Sequence, residues 1–198
     1  MRIVFIGAGN LATNLVLHLF QTEHKVEQIY SRTVESARLL GEKIGIPYTT
    51  SISEIIPDAD LYIFSIKDSA IESILPLMPP SSRKSLWIHT SGSVDMQVFK
   101  DYLPNYGVLY PFQTFSKDRT VELKDVPLFV EGSTAEVVEI LKKVASTISS
   151  NIHELNSDKR RYIHLTGVFA CNFTNHLYHI SKNILEENNL SFDLLLPL

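Results

Sequence analysis

Arg2-Ile3-Val4-Phe5-Ile6-Gly7-Ala8-Gly9-Asn10-Leu11-Ala12 is the stretch whose reading decides the fold. Its first five residues form a short run dominated by apolar side chains, with no alternation. That pattern predicts a strand buried on both faces, as in parallel sheets. The run stops at Gly7, and Leu11, Leu15, Val16 and Leu19 then recur at helical spacing. The junction matches G-x-G-x-x-G/A in the context the motif requires, directly after a strand and opening a helix. Gly7 permits the tight turn, Gly9 lets backbone approach a pyrophosphate, and Ala12 is small enough for close helix–strand packing. Gly7, Ala8, Gly9, Asn10 and Leu11 are therefore the expected phosphate cradle, with N–H groups at the helix N-terminus facing the anion.

The same alternation continues outward. Strands are expected around Val26–Tyr30, Tyr48, Leu61–Phe64, Leu86–His89, Val108–Tyr110 and Leu128–Val130. Helices are expected after Thr33, after Asp68 and over 134–148. Alternating strands and helices imply parallel βαβ units and a doubly wound α/β sheet, with ligands beyond the carboxyl ends of the strands. Those ends carry the candidate residues. The second strand ends in Tyr30-Ser31-Arg32-Thr33, with no carboxylate to take ribose hydroxyls. Ser31, Arg32 and Thr33 suit a 2′-phosphate, which favours NADP over NAD. Ser65, Ile66 and Lys67 are expected beside the nicotinamide ribose, and Asp68 is expected to cap the following helix. His89 is either a hydrogen-bonded core histidine or part of a site with Thr90, Ser91 and Gly92. Hydrolysis by a serine nucleophile finds no G-x-S-x-G elbow. The aromatics of Tyr110-Pro111-Phe112-Gln113-Thr114-Phe115 either line a pocket or pack into the core.

From about Ser157 strand signals stop. Residues 158–188 read as one helix of roughly 45 Å, with an apolar stripe through Tyr162, Phe169, Phe173, Leu177, Ile180 and Ile184. Arg161, His164, Asn172, Asn175 and His179 share another face. His176 and His179 are spaced for a metal, but no carboxylate or cysteine joins them in register, so no metal is expected. The expected division is a Rossmann domain over 1–155 and the start of an all-helical domain over 156–198. A lone helix cannot bury such a stripe. The expectation is a homodimer through this helix, or a natural chain that continues beyond Leu198.

Composition bounds the partners. The chain has 198 residues, 44% hydrophobic and 20% charged, with a net charge of −4. This is a globular balance without the basic footprint of a nucleic-acid or anionic-membrane binder. Cys171 is the only cysteine, so neither an intrachain disulfide nor a thiolate zinc site is expected, and a cytoplasmic location fits. No apolar run reaches the roughly 18 residues of a membrane span, and the run starting at Arg2 leaves no room for a signal peptide.

The glycine fingerprint, Ser31-Arg32, His89-Thr90-Ser91-Gly92, Pro111-Phe112-Gln113-Thr114-Phe115 and the helix with Gly167, Asn172 and Asn175 together resemble the Rossmann-like proteins carrying the domain DUF2520. These look like relatives of pyrroline-5-carboxylate reductase, deazaflavin-dependent NADP reductases and the 6-phosphogluconate dehydrogenase group. The resemblance covers essentially the whole chain. It implies an NADP-linked oxidoreductase with a helical C-terminal domain that dimerises and an active site between the two domains. Relatives continue for several more helices, so the helical domain reads as truncated. The catalytic lysine of the 6-phosphogluconate group has no counterpart here.

The leading expectation is hydride transfer between NADP(H) and a small C=N or C=O substrate. Ser91, His164 and Asn172 are the candidates for polarising the acceptor or donating a proton; of these only an imidazole ordinarily titrates near neutrality. The rivals are a non-catalytic NADP-binding sensor or scaffold, and a helix-mediated assembly protein with a vestigial glycine turn.

Overall fold

Ile3, Val4, Phe5 and Ile6 are fully buried, Ile3 and Phe5 against one layer and Val4 and Ile6 against the other. A strand covered on both sides accounts for the unbroken apolar run. The structure, a computed structural model, describes residues 1–117 and 119–198. The strand β1 (Arg2–Ile6) pairs in parallel with β2 (Lys25–Tyr30). β3 (Tyr48–Thr49) continues the sheet beyond β2. On the other side of β1 come β4 (Leu61–Phe64), β5 (Leu86–His89), β6 (Tyr106–Pro111), β7 (Leu128–Gly132) and β8 (Ile152–Glu154). The order β3-β2-β1-β4-β5-β6-β7-β8 reverses direction between β1 and β4. That switch point is where open α/β sheets bind ligands.

Two helices of the nucleotide-binding half, α1 (Asn10–Leu19) and α2 (Val34–Ile44), share one face of the sheet with α4 (Ala135–Ser146). The helix α3 (Asp68–Ile74) covers the opposite face with Phe99 and Leu103. Local chemistry sets several boundaries. Gly45 ends α2 in the left-handed region at φ 70°. The Thr134 hydroxyl accepts from the Val137 N–H at 3.2 Å and starts α4. Thr33 occupies the N-cap of α2 without a side-chain bond.

Three expectations are corrected. Asp68 does not cap α3: Lys67 holds the N-cap position, and the Asp68 carboxylate accepts the Ser93 hydroxyl at 2.5 Å instead. Asp68 is already the first helical residue, so its side chain turns toward the neighbouring 91–95 segment. The sheet is not wholly parallel, because β7 runs antiparallel to β6. A parallel return needs a long crossover, usually helical, and the described part of 112–127 contains no helix. The third is the long C-terminal helix, which is not uniform. It runs as α5 (Ser157–Gly167), a wide π-helical segment Val168–Phe173, and α6 (Thr174–Glu187). Wider turns change the phase of everything after them, so a face read at 100° per residue does not carry through. The short strand β8, parallel to β7, lay outside the expected elements.

The start of α5 is tied firmly to the sheet. Asn156 caps it by accepting from the Lys159 N–H at 3.0 Å. Ile163 and Leu155 pack on Val108, Tyr110 and Phe129. Beyond Gly167 the rod leaves the body: Phe169, Phe173, Leu177 and Ile184 are each at least half exposed. No helix among the described residues is long and apolar enough to cross a membrane.

Candidate functional site

A cleft of about 710 Å³ lies along the carboxyl ends of β1, β2, β4, β5 and β6. Its size suits a cofactor or small-molecule site. At its centre is the glycine turn. Gly7 has φ +124°, and its N–H donates to the Tyr30 carbonyl at 2.7 Å. A Cβ there would stand 2.2 Å from the Ser65 carbonyl oxygen, so both the dihedral and the space demand glycine. Gly9 differs. A Cβ at Gly9 would meet nothing within 4 Å. Protein packing therefore does not explain its bareness, whereas close approach of a ligand to the backbone does. Gly9 is the N-cap of α1, no side chain caps that end, and the first turn holds no acidic residue. The first N–H groups of α1 have no intrahelical acceptor. The turn thus fits the pyrophosphate of a dinucleotide.

The Asn10 side chain does something else. Its amide donates to the Phe115 carbonyl at 3.0 Å. Asn14, one turn on and buried, donates to the Ser116 carbonyl at 3.0 Å and accepts from the Val121 N–H at 2.9 Å. His18 lies 2.8 Å from the Val121 carbonyl. Three successive turns of α1 therefore hold the β6–β7 loop over the nucleotide half of the sheet. That loop brings Gln113, from the segment expected to line a pocket or pack into the core, into the cleft lining together with Lys117, which sequence reasoning missed.

At the adenosine end Ser31 and Arg32 line the cleft, whereas Thr33 does not; Ser36, in the first turn of α2, does. Ser65, Ile66 and Lys67 line its middle. The Ser65 hydroxyl is 3.1 Å from that of Thr90.

At the far end Ser91, Gly92, Tyr110, Pro111 and His164 come together. His164 reaches in from α5 and lies with Nδ1 2.9 Å from the Tyr110 hydroxyl. Its ring passes so close to Gly92 that a Cβ there would be 2.6 Å from Cγ. Burial pushes the Tyr110 phenol up to about 12, so it stays protonated. The Ser91 hydroxyl accepts from the N–H groups of Ser93 and Val94, each at 3.0 Å, which fixes the turn after β5. Asn172 does not line the cleft; it is exposed on the π-helical segment. Its neighbour Cys171 touches the loop, with Sγ 3.2 Å from the Thr114 hydroxyl. Among the described residues no cluster of three or more potential metal ligands forms.

Beneath the site lies a polar network that no local pattern announced. Arg160 is completely buried. It pairs with Glu131 and donates to the Val94 carbonyl and, at 3.1 Å, to the Ser157 hydroxyl. Ser157 in turn donates to Glu131 from both its N–H and its hydroxyl at 2.8 Å. Glu131, on β7, thereby clamps the first turn of α5 and sets the helix that carries His164. His89 is the core histidine: its Nδ1 accepts from the Ser91 N–H at 3.2 Å, and burial, followed by the nearby Arg160 charge, holds its pKa down at about 3.

Comparison with known proteins agrees with this geometry. Residues 2–91 match the family model described as "NADP oxidoreductase coenzyme F420-dependent", and residues 126–198 match the domain of unknown function DUF2520. A comparison with curated proteins finds no match. A Bacteroides fragilis protein of known structure, provisionally named an NADP oxidoreductase, is 46% identical, with a TM-score of 0.94 over 99% of this chain and 76% of that one. A Thermotoga maritima protein of known structure is 25% identical, with a TM-score of 0.72 over 92% of this chain and 69% of that one. A 1-pyrroline-5-carboxylate reductase from Streptococcus pyogenes shares the fold at 16% identity, with a TM-score of 0.70 over 98% of this chain and 73% of that one. Near-complete coverage at 46% identity, on a sheet whose glycine turn leaves Gly9 open to a dinucleotide, means that the chain belongs to the Rossmann-fold NADP oxidoreductases carrying a DUF2520 domain, with NADP as its cofactor.

Proposed function

We propose that this oxidoreductase reduces a small compound at a C=N or C=O group, or runs the reverse oxidation. The observation that carries the reading is the continuity of the cleft, which runs from Ser31 and Arg32 at one end, past the glycine turn, to the His164 imidazole at the other. When bound, NADPH supplies the hydride. In this reading the backbone of Gly7, Ala8, Gly9, Asn10 and Leu11 binds the pyrophosphate, and Ser31 and Arg32 serve the 2′-phosphate, while Thr33, outside the cleft lining, starts α2 behind them. Ser65, Ile66 and Lys67 hold the nicotinamide ribose. His164 gives the acceptor nitrogen or oxygen its proton as carbon becomes reduced, which balances the charge delivered with the hydride. Ser91 and Gly92 shape the wall beside it. Asn172 lies outside the cleft lining and has no part in this mechanism.

The test is NADPH consumption with a panel of cyclic imines, keto acids and aldehydes. His164→Ala is expected to lower turnover by roughly a hundredfold, the usual scale of a general acid, while NADPH binding persists. Full turnover by His164→Ala would remove the imidazole from the mechanism.

We further propose that residues 1–155 and 156–198 are the two functional units and that the exposed stripe on the C-terminal rod pairs with a second copy in the cytoplasm. Light scattering at micromolar concentration is expected to give a dimer, and a monomer would overturn that pairing.

A further inference from the structure

Lys117 sits on the loop between β6 and β7, far in sequence from the nucleotide-binding half. Its ammonium nevertheless lies 3.4 Å from the hydroxyl of Ser36, in the first turn of α2, and it lines the same cleft as Arg32. Arg32 arrives from the other direction, at the end of β2. The only carboxylate among the described lining residues is Asp68, which belongs to the middle of the cleft and is held by Ser93. Two cations thus converge on the adenosine end of a site in a chain whose net charge is −4.

This convergence is built by α1. Asn14 is buried and grips the loop on both sides of Lys117, at the Ser116 carbonyl and the Val121 N–H. Asn10 holds the Phe115 carbonyl. These bonds place the Lys117 backbone above the edge formed by α1 and α2 without any help from a ligand.

We propose that Lys117 is a second cationic ligand of the cofactor's 2′-phosphate, so that discrimination between NADP and NAD is shared between Arg32 and a lysine delivered by the β6–β7 loop. The inference rests on the assignment of NADP to this cleft and adds a specificity residue to it. A guanidinium gives the phosphate a planar fork, and an ammonium adds a point charge from another side. Asn10 and Asn14 are positioning residues for Lys117.

The experiment is a fluorescence titration of the full chain with NADPH and NADH, with 2′,5′-ADP and 5′-AMP as competing probes that differ only in the 2′-phosphate. Lys117→Ala is expected to weaken NADPH and 2′,5′-ADP roughly tenfold, the scale of one charge-assisted hydrogen bond. NADH and 5′-AMP should stay within about twofold. Lys43→Ala, an exposed lysine on α2 outside the cleft lining, controls for general electrostatics and is expected to change nothing. Asn14→Ala should lose part of the same preference for the 2′-phosphate.

Unchanged NADPH affinity in Lys117→Ala overturns the proposal, and so does equal weakening of NADPH and NADH. If Arg32→Ala alone removes the preference, the cofactor assignment stands and Lys117 has no share in it. If the wild-type chain binds NADPH no better than NADH, the underlying assignment fails and takes this inference with it. Lys117 is exposed, so its replacement leaves the fold intact for each of these measurements.

Discussion

The phenol of Tyr110 and Nδ1 of His164 are 2.9 Å apart, and both groups line the cleft. The phenol keeps its proton, because burial raises it to about 12. It donates to Nδ1 when the imidazole is neutral and accepts from the Nδ1 proton when the ring is charged. In both states Nε2 remains for the substrate. Tyr110→Phe removes this support without changing shape. The expected result is a roughly tenfold loss of kcat, one hydrogen bond's worth of about 1.4 kcal/mol, with NADPH affinity unchanged. Nitrogen NMR of His164 should also show a mixture of tautomers in the variant where the wild type shows one. Identical spectra would mean that Tyr110 does not orient the ring.

Gly92 is the second support. A methyl group there would overlap the His164 ring at 2.6 Å from both Cγ and Nδ1. The ring must swing away, since these atoms are near the base of the side chain. Gly92→Ala is expected to reduce turnover about as much as His164→Ala while preserving NADPH binding. Its stability cost is expected to be on the order of 1–3 kcal/mol, as for other overpacking changes. Unimpaired turnover would show that the observed ring position is not the working one.

Gly7 fails for a different reason. Alanine there meets both a φ of +124° and a backbone oxygen at 2.2 Å that cannot move alone. Gly7→Ala is expected to cost roughly 3 kcal/mol or more, combining a strained dihedral with a backbone clash. Gly9→Ala should be tolerated by the fold, since its Cβ faces open space, yet it should weaken NADPH binding. Urea denaturation of the two variants, run beside nucleotide titration, separates the two roles. Equal stability of both variants contradicts the assignment.

The glycine turn and the strand ends were legible because they are local: sequence neighbours make the turn, and chain direction places Arg32, Ser65 and Ser91 at one edge of a doubly wound sheet. Contacts between distant segments were not. Nothing near Lys117 announces Ser36, which lies 81 residues away. Nothing near Arg160 announces Glu131, and a buried arginine reads as a solvated one until its partner is known. The antiparallel β6–β7 pair was half legible, since the sequence between them carries no helical period. The three residues of β8 have no buried face from which a pattern could arise. The phase of the C-terminal rod was lost at Val168–Phe173, because a wide turn is a tertiary feature and periodicity assumes it away. His164, on α5, reaches the cleft, whereas Asn172, eight residues or roughly 12 Å further along the rod, does not.

The Glu131–Arg160 pair makes a prediction about how the helical region is attached. Both side chains are mostly or wholly removed from water, and Arg160 is fully buried. Breaking such a pair strands a charge in the interior. Glu131→Gln is expected to cost roughly 3–5 kcal/mol, and to loosen α5 enough to lower turnover through His164. Replacing both residues with apolar ones of similar volume should recover most of the stability, because desolvation of the pair is then avoided. Thermal unfolding of the single and double variants checks this. A single variant as stable as the wild type would mean that the network does not anchor the helix.

His89 sets a limit on acid stability. Its Nδ1 already accepts the Ser91 N–H, so protonation there must break that bond and place a charge in a buried site near Arg160. Its pKa in the folded chain is about 3, against an ordinary value of 6.5. Between these two values the unfolded chain binds the proton and the folded chain does not. Stability from this group is therefore complete above about pH 6.5 and falls as the pH drops toward 3, by up to about 1.4 kcal/mol per pH unit. His89→Gln removes the titration and keeps an acceptor for Ser91. The variant is expected to start less stable at neutral pH, because an amide fits the site less well, and to lose less than the wild type between pH 6.5 and 4. Urea denaturation across that range reads the slope directly. Parallel slopes in the two proteins would show that His89 does not govern the acid limb.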